Sequence, residues 1–278
     1  MTESASEKEL ERLGVVDRGG TGRPILLLHG LMGRGRTWDA HLPWLRGYGH
    51  VYTLDAAWHR GRDVAEQPTA AGVSTERFVD DAARAIRAIG DGPAVVIGHS
   101  MGGLHGWCLA AAHPDLVSAL VVEDMAPDFK GRTTGPWDSW FDSWPVEFAD
   151  ADAALGMFGD VAGRYFLDSF DRTDTGWRLH GHIRVWRDIA NHWGTRDYWA
   201  QWHAVRVPTL LIEAEYSITP EGQMRQMAQT PRDSGTTYLR VAGAGHLVQA
   251  DAPQAYRQAV EDFLSGPAQL SPGSANRP

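Results

Sequence analysis

The stretch AVVIGHSMG, residues 94–102, decides the fold, because it joins an apolar run to a sharp glycine-rich turn. The run 94–97 has the form of a strand that is buried on both faces, and a helical pattern follows from Met101. The turn between them reads Gly-x-Ser-x-Gly, with Ser100 at its centre. Glycines are needed there because the serine backbone is strained and neighbouring chains approach closely. The stretch therefore predicts a serine hydroxyl raised above a strand end, at the N-terminus of a helix.

Further apolar runs lie on both sides of this stretch and alternate with helical patterns. They occupy residues 24–30, 50–56, 117–124, 207–215 and 236–246. Amphipathic helices are predicted at 74–90 and at 251–266. Such alternation is typical of an α/β fold with a mostly parallel, twisted sheet flanked by helices.

Composition divides the chain into three parts. Residues 14–127 and 207–265 carry the strand–helix alternation and are predicted to form one α/β core. Residues 128–206 break the alternation, are rich in Trp, Asp and Gly, and are interpreted as a mainly helical cap inserted between two strands. The end, 266–278, has the Pro, Ser and Gly content of a disordered tail.

Charge and cysteine content exclude several classes of function. The net charge is -9, with 35 acidic against 26 basic residues, which argues against nucleic acid or an anionic membrane as the main partner. The single cysteine, Cys108, allows no intramolecular disulfide. The first residues lack the apolar core of a signal peptide, and no apolar run approaches the ~20 residues that span a bilayer. A cytoplasmic protein with a small-molecule substrate is therefore expected.

Two further motifs follow predicted strands. His29-Gly30-Leu31 ends the first apolar run, and Gly243-Ala244-Gly245-His246 follows the last one. Strand, His-Gly loop, Gly-x-Ser-x-Gly turn, insertion and Gly-x-Gly-His: in this order the chain resembles the α/β-hydrolase fold family, serine hydrolases with a cap insertion. The likeness covers roughly residues 14–265. One loop, 55–63, departs from the pattern common in the family.

The resemblance implies a role for each motif. Ser100 is expected to be the nucleophile and His246 its general base. The backbone amides of Leu31 and Met101 are expected to form the oxyanion hole. No metal or organic cofactor is implied. The remaining histidines are interpreted as structural, pocket-lining or hydrogen-bonding residues, namely His29, His99, His180, His182 and His192.

The position of the catalytic acid is the unusual feature. In PTLLIEAEYSITP, residues 208–220, Ser217 stands where this family commonly has a carboxylate. Some relatives, the haloalkane dehalogenases among them, carry the acid at the end of the strand before the cap. Here that strand ends in Glu123-Asp124, and Asp124 falls at the acid position. Asp124 is therefore the predicted acid, and Glu215 is the alternative.

The insertion contains eight of the twelve tryptophans. Trp137, Trp140 and Trp144 are spaced at helical intervals, and we expect them to line one side of the substrate pocket. An ester, thioester or lactone of a small hydrophobic or aromatic molecule is the expected substrate, cleaved through an acyl-enzyme. Two alternatives stay open: a cofactor-free lyase, C–C hydrolase or cyclase with the same triad, and a ligand-binding degenerate hydrolase. The sequence leaves the oligomeric state undetermined.

Overall fold

A seven-stranded sheet lies at the centre of the described chain, which comprises residues 5–60, 68–132, 138–168 and 170–270 of a computed structural model. The strands of the chain are β1 Val15–Gly19, β2 Pro24–Leu28, β3 His50–Leu54, β4 Ala94–His99, β5 Val117–Glu123, β6 Glu147–Phe148, β7 Phe170–Arg172, β8 Trp177–Leu179, β9 Thr209–Tyr216 and β10 Thr236–Gly245. The large sheet has the order β1-β3-β2-β4-β5-β9-β10. β1 pairs antiparallel with β3, and the other ladders of this sheet are parallel. The predicted α/β class with a mostly parallel sheet is thus confirmed.

Helices cover both faces of the sheet. The helices of the described residues are α1 Ala5–Leu13, α2 Leu42–Leu45, α3 Thr75–Ile89, α4 Met101–Ala112, α5 Asp138–Asp142, α6 Ala151–Phe158, α7 Asp160–Leu167, α8 Ile183–Trp193, α9 Trp199–Ala204, α10 Gln223–Ala228, α11 Val248–Asp251 and α12 Pro253–Ser265, with a 3₁₀ helix at Gly35–Trp38. None of the helices in the described ranges is long and apolar enough to cross a membrane.

Local sequence signals fix the ends of α3. Ser74 accepts a hydrogen bond from the amide of Arg77 at 3.3 Å, and Gly90 ends the helix in the left-handed region with φ 80°. The apolar face of α3 packs on one side of the sheet, with Phe78 and Ile86 buried. On the other side, α12 contributes a second apolar layer. The strands between these layers are apolar on both faces, as a doubly covered parallel sheet requires.

The segment between β5 and β9 contains five helices, α5 to α9, within its described residues. It also contains three short strands, which form a separate antiparallel sheet with the order β6-β8-β7. The sequence analysis did not predict these strands, because each is only two or three residues long and shows no alternating pattern.

The chain after α12 is ordered further than its composition predicted. The amide of Ala268 donates to the carbonyl of Phe263 at 3.0 Å, and the amide of Leu270 donates to Leu264 at 2.7 Å. The side chains of Ala268 and Leu270 are buried against the layer formed by α12. Residue 266 is therefore too early a start for the predicted disordered tail. Two apolar residues in this otherwise polar stretch, Ala268 and Leu270, pack against the core. Residues 271–278 lie outside the described ranges.

Candidate active site

Ser100 occupies a sharp turn between β4 and α4. Its backbone has φ 50° and ψ -120°, and its amide donates to the carbonyl of Glu123 at 2.8 Å. A side chain at Gly98 would collide with the backbone of Gly102, and one at Gly102 would collide with the carbonyl of Leu28. Both glycines are thus required by close approach of the chain, and the hydroxyl of Ser100 projects at the start of α4.

His246 follows β10 and forms a hydrogen bond with Asp124. Its Nδ1 lies 2.7 Å from Oδ2 of Asp124, and the other carboxylate oxygen accepts from the amide of Ala214 at 2.9 Å. Asp124 has no exposed surface, whereas the side chain of His246 is 22% exposed. A carboxylate can only accept, so Nδ1 carries the proton and Nε2 is left as the basic nitrogen.

The alternative acid is engaged elsewhere. Oε2 of Glu215 accepts from the amide of Gly243 at 2.7 Å and so braces the loop that leads to His246. Ser217, at the position where the family commonly has its acid, forms a hydrogen bond with Thr219 at 2.8 Å. Of the two candidate acids, the structure brings Asp124 into contact with the imidazole.

Glu123 precedes Asp124 but points to a different environment. Its side chain has no exposed surface, and Oε1 accepts from the amide of Gln249 at 2.9 Å. Burial, with the neighbouring charge of Asp124, raises the pKa of Glu123 well above its usual range. The protonated form of Glu123 is therefore favoured, which limits the negative charge beside Asp124.

Two buried histidines hold the loop that carries Leu31. Nδ1 of His29 donates to the carbonyl of Gly30 at 2.7 Å, and its Nε2 accepts from the amide of Ala56 at 3.0 Å. Nε2 of His59 accepts from the amide of Met32 at 3.2 Å. Burial lowers the pKa of both rings, which keeps them neutral. The structural interpretation of His29 agrees with these contacts.

His59 was missed by sequence reasoning. The signal that could have found it is its place in the loop 55–63, which directly follows the apolar run of β3. Parallel strands bring the loops at their carboxyl ends together, so a histidine in this loop is well placed to contact the loop after β2.

His99 contacts both the backbone and the ring of His246. Its Nε2 donates to the carbonyl of His246 at 3.1 Å, and the two rings have their centroids 4.7 Å apart. The hydroxyl of Tyr165, on α7, lies 3.5 Å from Nδ1 of His99. Burial lowers the pKa of His99 well below its usual range, so His99 is neutral and acts as a hydrogen-bond donor and acceptor.

Ser100 and His246 open into one cavity of about 380 Å³, called the apolar cavity below. Leu31 and Trp140 line it, with Phe129, Phe166 and Trp193 among the other residues of the wall. Met101 follows Ser100 as the first residue of α4; it has no exposed surface and is not among the described residues that line this cavity. The cavity thus joins three of the predicted elements: the His-Gly loop, the serine turn and the segment 128–206.

The predicted tryptophan wall is only partly present. Trp140 lines the apolar cavity, whereas Trp144 does not. Trp144 is 6% exposed and packs its ring against Trp140, Phe158 and Phe166. The prediction for Trp144 is wrong because α5 ends at Asp142, so the helical spacing does not extend to it. Trp137 lies outside the described residues.

The histidines of the segment 128–206 are not gathered around one point. His180 forms a hydrogen bond with Asp171, and His192 lies on α8. In the described ranges, no group of three or more His, Cys, Asp or Glu side chains is arranged to hold a metal ion.

The parallel sheet and the turn at Ser100 define a hydrolase of the α/β type. The sequence model described as the alpha/beta hydrolase family matches residues 25–259, and the chain belongs to that family. The predicted resemblance is confirmed, and the protein is an enzyme of the hydrolase class.

Relatives and solved structures support the same assignment. The chain is 25% identical over 256 residues to a 2-(acetamidomethylene)succinate hydrolase of Mesorhizobium japonicum, covering 88% of this chain and 89% of that one. It is 28% identical over 259 residues to an sn-1-specific diacylglycerol lipase of Mus musculus, covering 87% of this chain and 80% of the lipase. The crystal structure of an E-2-(acetamidomethylene)succinate hydrolase matches with a TM-score of 0.77 at 19% identity, covering 91% and 94% of the two chains. At that identity the structural likeness supports the fold.

Proposed function

We propose that the protein cleaves an ester, thioester or lactone of a small hydrophobic or aromatic molecule through an acyl-enzyme. In this proposal Ser100 is the nucleophile, His246 is the general base, and Asp124 orients His246 and stabilises its protonated form. The backbone amides of Leu31 and Met101 stabilise the oxyanion.

One contact carries the proposal. Nδ1 of His246 lies 2.7 Å from the fully buried carboxylate of Asp124, while His246 and Ser100 line the same cavity. A buried carboxylate beside an imidazole fixes the tautomer that leaves Nε2 unprotonated and stabilises the imidazolium that forms when Nε2 takes the serine proton.

The chemistry then follows in two halves. Oγ of Ser100 attacks the carbonyl carbon while Nε2 of His246 takes its proton, and the negative charge forms on the carbonyl oxygen. When the intermediate collapses, His246 gives that proton to the leaving alcohol or thiol. Water then attacks the acyl carbon, the bond to Oγ breaks, and Ser100 regains its proton through His246.

The cavity wall indicates the substrate class. Aromatic and aliphatic side chains dominate it, and we propose that the segment 128–206 acts as a cap that completes it. The succinate compound in the name of one relative carries carboxylates, which are usually bound by Arg or Lys. None of the described residues that line this cavity is Arg or Lys, which favours a neutral substrate. The lipase name of the mouse relative is consistent with an ester of this kind.

The test is the rate at which a fluorophosphonate probe labels the protein. Ser100→Ala serves as the blank, and Asp124→Asn is compared with the wild type. We expect rapid labelling of the wild type and a decrease of about a hundredfold or more in Asp124→Asn, because the amide favours the wrong tautomer of His246.

Glu215→Gln is the matched control, since it changes the other candidate acid in the same way. It should label at nearly the wild-type rate. Equal labelling of the wild type and Asp124→Asn would show that Asp124 only braces the loop. Release of an acid and an alcohol from a 4-nitrophenyl ester would separate hydrolysis from lyase chemistry.

A further inference from the structure

His246 lines two cavities rather than one. The first is the apolar cavity that it shares with Ser100. The second is a wide depression of about 420 Å³ at the surface, between the α6–α7 turn at Gly159 and α11, called the side opening below. Ala162, His246 and Leu247 line both cavities, so the two cavities adjoin at these three residues.

The two cavities differ in chemistry. The side opening carries the carboxylates of Asp160 and Asp251, and Asp251 is fixed beside the catalytic loop by accepting from the amide of Gly245 at 2.8 Å. A polar cavity of about 390 Å³ shares Asp160 and Val161 with the side opening. It is lined by Gln249, whose side chain is 3% exposed.

Gln249 gives an independent indication that water occupies this region. Both polar atoms of its side-chain amide lack a hydrogen-bond partner among the described residues. Buried amide groups without a protein partner are usually satisfied by ordered water, provided that the cavity beside them is polar and large enough. The cavity beside Gln249 is large enough and has polar side chains in its wall, so water is expected there, and the residues it shares with the side opening lead towards His246.

We propose that the water that hydrolyses the acyl-enzyme reaches His246 through the side opening, while the acyl group fills the apolar cavity. This inference rests on the proposed function.

The water oxygen bonds to the acyl carbon, one water proton passes to Nε2 of His246, and the bond between the carbon and Oγ of Ser100 breaks. The proton on His246 then passes to Oγ, and the acid leaves.

The physical reason is the conflict between the two halves of the reaction. An acyl group that fits an apolar cavity displaces the water from it. This favours acylation, but it removes the water that deacylation needs as its nucleophile. A second route removes this conflict, because His246 also lines the side opening, which the acyl group does not fill. The carboxylates at the mouth also disfavour escape of an anionic acid by the same route.

The test uses Val161, which lines the side opening but not the apolar cavity. Val161→Phe should fill the opening, and Val161→Thr is the matched control because it keeps the volume. Acylation is followed by fluorophosphonate labelling and by the 4-nitrophenolate burst from 4-nitrophenyl butyrate. Deacylation is followed by rapid-quench mass spectrometry of the butyrylated protein. We expect Val161→Phe to slow deacylation about tenfold and to leave acylation within about twofold, with Val161→Thr unchanged in both.

A second measurement does not depend on the fraction of folded enzyme. In the presence of 1-butanol, water and the alcohol compete for the acyl-enzyme. A butyryl group is small enough to leave part of the apolar cavity of about 380 Å³ unfilled, and the apolar alcohol is expected to enter there. Val161→Phe should therefore raise the ratio of butyl butyrate to butyrate. An unchanged ratio, or equal slowing of acylation and deacylation, would overturn the side opening as the water route. A wild type that neither labels nor forms an acyl-enzyme would instead overturn the proposed function itself.

Discussion

Backbone strain is concentrated at a few residues of the site. Among the described residues, five that are not glycine have a positive φ, and four of them are Met32, Trp58, Ser100 and Asp124. These four follow β2, β3, β4 and β5 respectively, at the same edge of the sheet. Each such conformation costs on the order of 1–3 kcal/mol and persists only where packing enforces it. The rigid parallel strands therefore hold the loops in shapes that the loops alone would not keep.

Glu123 predicts a pH dependence of stability. In the unfolded chain its carboxyl ionises near its ordinary pKa of 4.5, whereas burial raises its pKa well above that value in the folded protein. Between these two pKa values the folded state binds the extra proton, so its stability falls as the pH rises. Glu123→Gln cannot ionise and escapes this loss. We expect the free energy of unfolding of Glu123→Gln to rise relative to that of the wild type as the pH rises above 4.5, by up to about 1.4 kcal/mol per pH unit, and its Tm to rise accordingly.

The comparison needs a variant that lacks the hydrogen bond as well as the charge. Glu123→Ala also removes the acceptor of the backbone amide of Gln249, so its Tm should lie below that of Glu123→Gln at every pH. Thermal unfolding monitored by circular dichroism from pH 4.5 to pH 8 measures all three proteins. A constant difference between the wild type and Glu123→Gln would mean that Glu123 is ionised in the folded state.

At the scale of the elements, the strands and helices of the sheet were predictable because each carries its own signal. The run 94–97 is apolar on both faces, and Ser74 and Gly90 mark the ends of α3. Because Ser217 stands where the family commonly has a carboxylate, Asp124 was the predicted acid, and Asp124 is the residue that contacts His246. Trp144 was misplaced because its position depends on where a five-residue helix ends, and tertiary packing decides that.

The contact between α7 and the core leads to a prediction. Tyr165 is buried, and its hydroxyl lies against Gly30 and 3.5 Å from His99, which in turn holds the carbonyl of His246. Tyr165→Phe removes this link and keeps the ring. We expect kcat to fall about threefold to tenfold with a smaller change in KM, because the catalytic loop is less well positioned.

Tyr198→Phe is the matched control for Tyr165→Phe. The hydroxyl of Tyr198 also forms a buried hydrogen bond, at 2.7 Å to Thr75, but Tyr198 does not line the apolar cavity. Both variants should lose about 1 kcal/mol of stability, and kcat should fall in Tyr165→Phe alone. Equal kcat values for the two variants would show that Tyr165 contributes only through packing.

At the scale of the whole molecule, the site is assembled from distant parts of the sequence. Leu31, Ser100, Asp124 and His246 follow four different strands and meet because parallel strands end at one edge of the sheet. β5 and β9 are neighbours although more than eighty residues separate them, so the segment 128–206 leaves and re-enters the sheet beside the site. This topology explains why one wall of the apolar cavity comes from that segment.

The packing of the chain after α12 predicts where the folded unit ends. Ala268 and Leu270 are 4% and 6% exposed, and the carbonyl of Ala268 accepts from Arg23 at 3.4 Å, close to the start of β2. A chain that ends after Pro267 loses this packing and should be less stable by about 2–4 kcal/mol, as for the loss of a buried leucine. A chain that ends after Leu270 keeps this packing, so its urea midpoint should match that of the full chain. Urea unfolding of the three proteins decides between these boundaries, since equal midpoints for both truncations would place the end of the folded unit at α12 and restore the tail to residue 266.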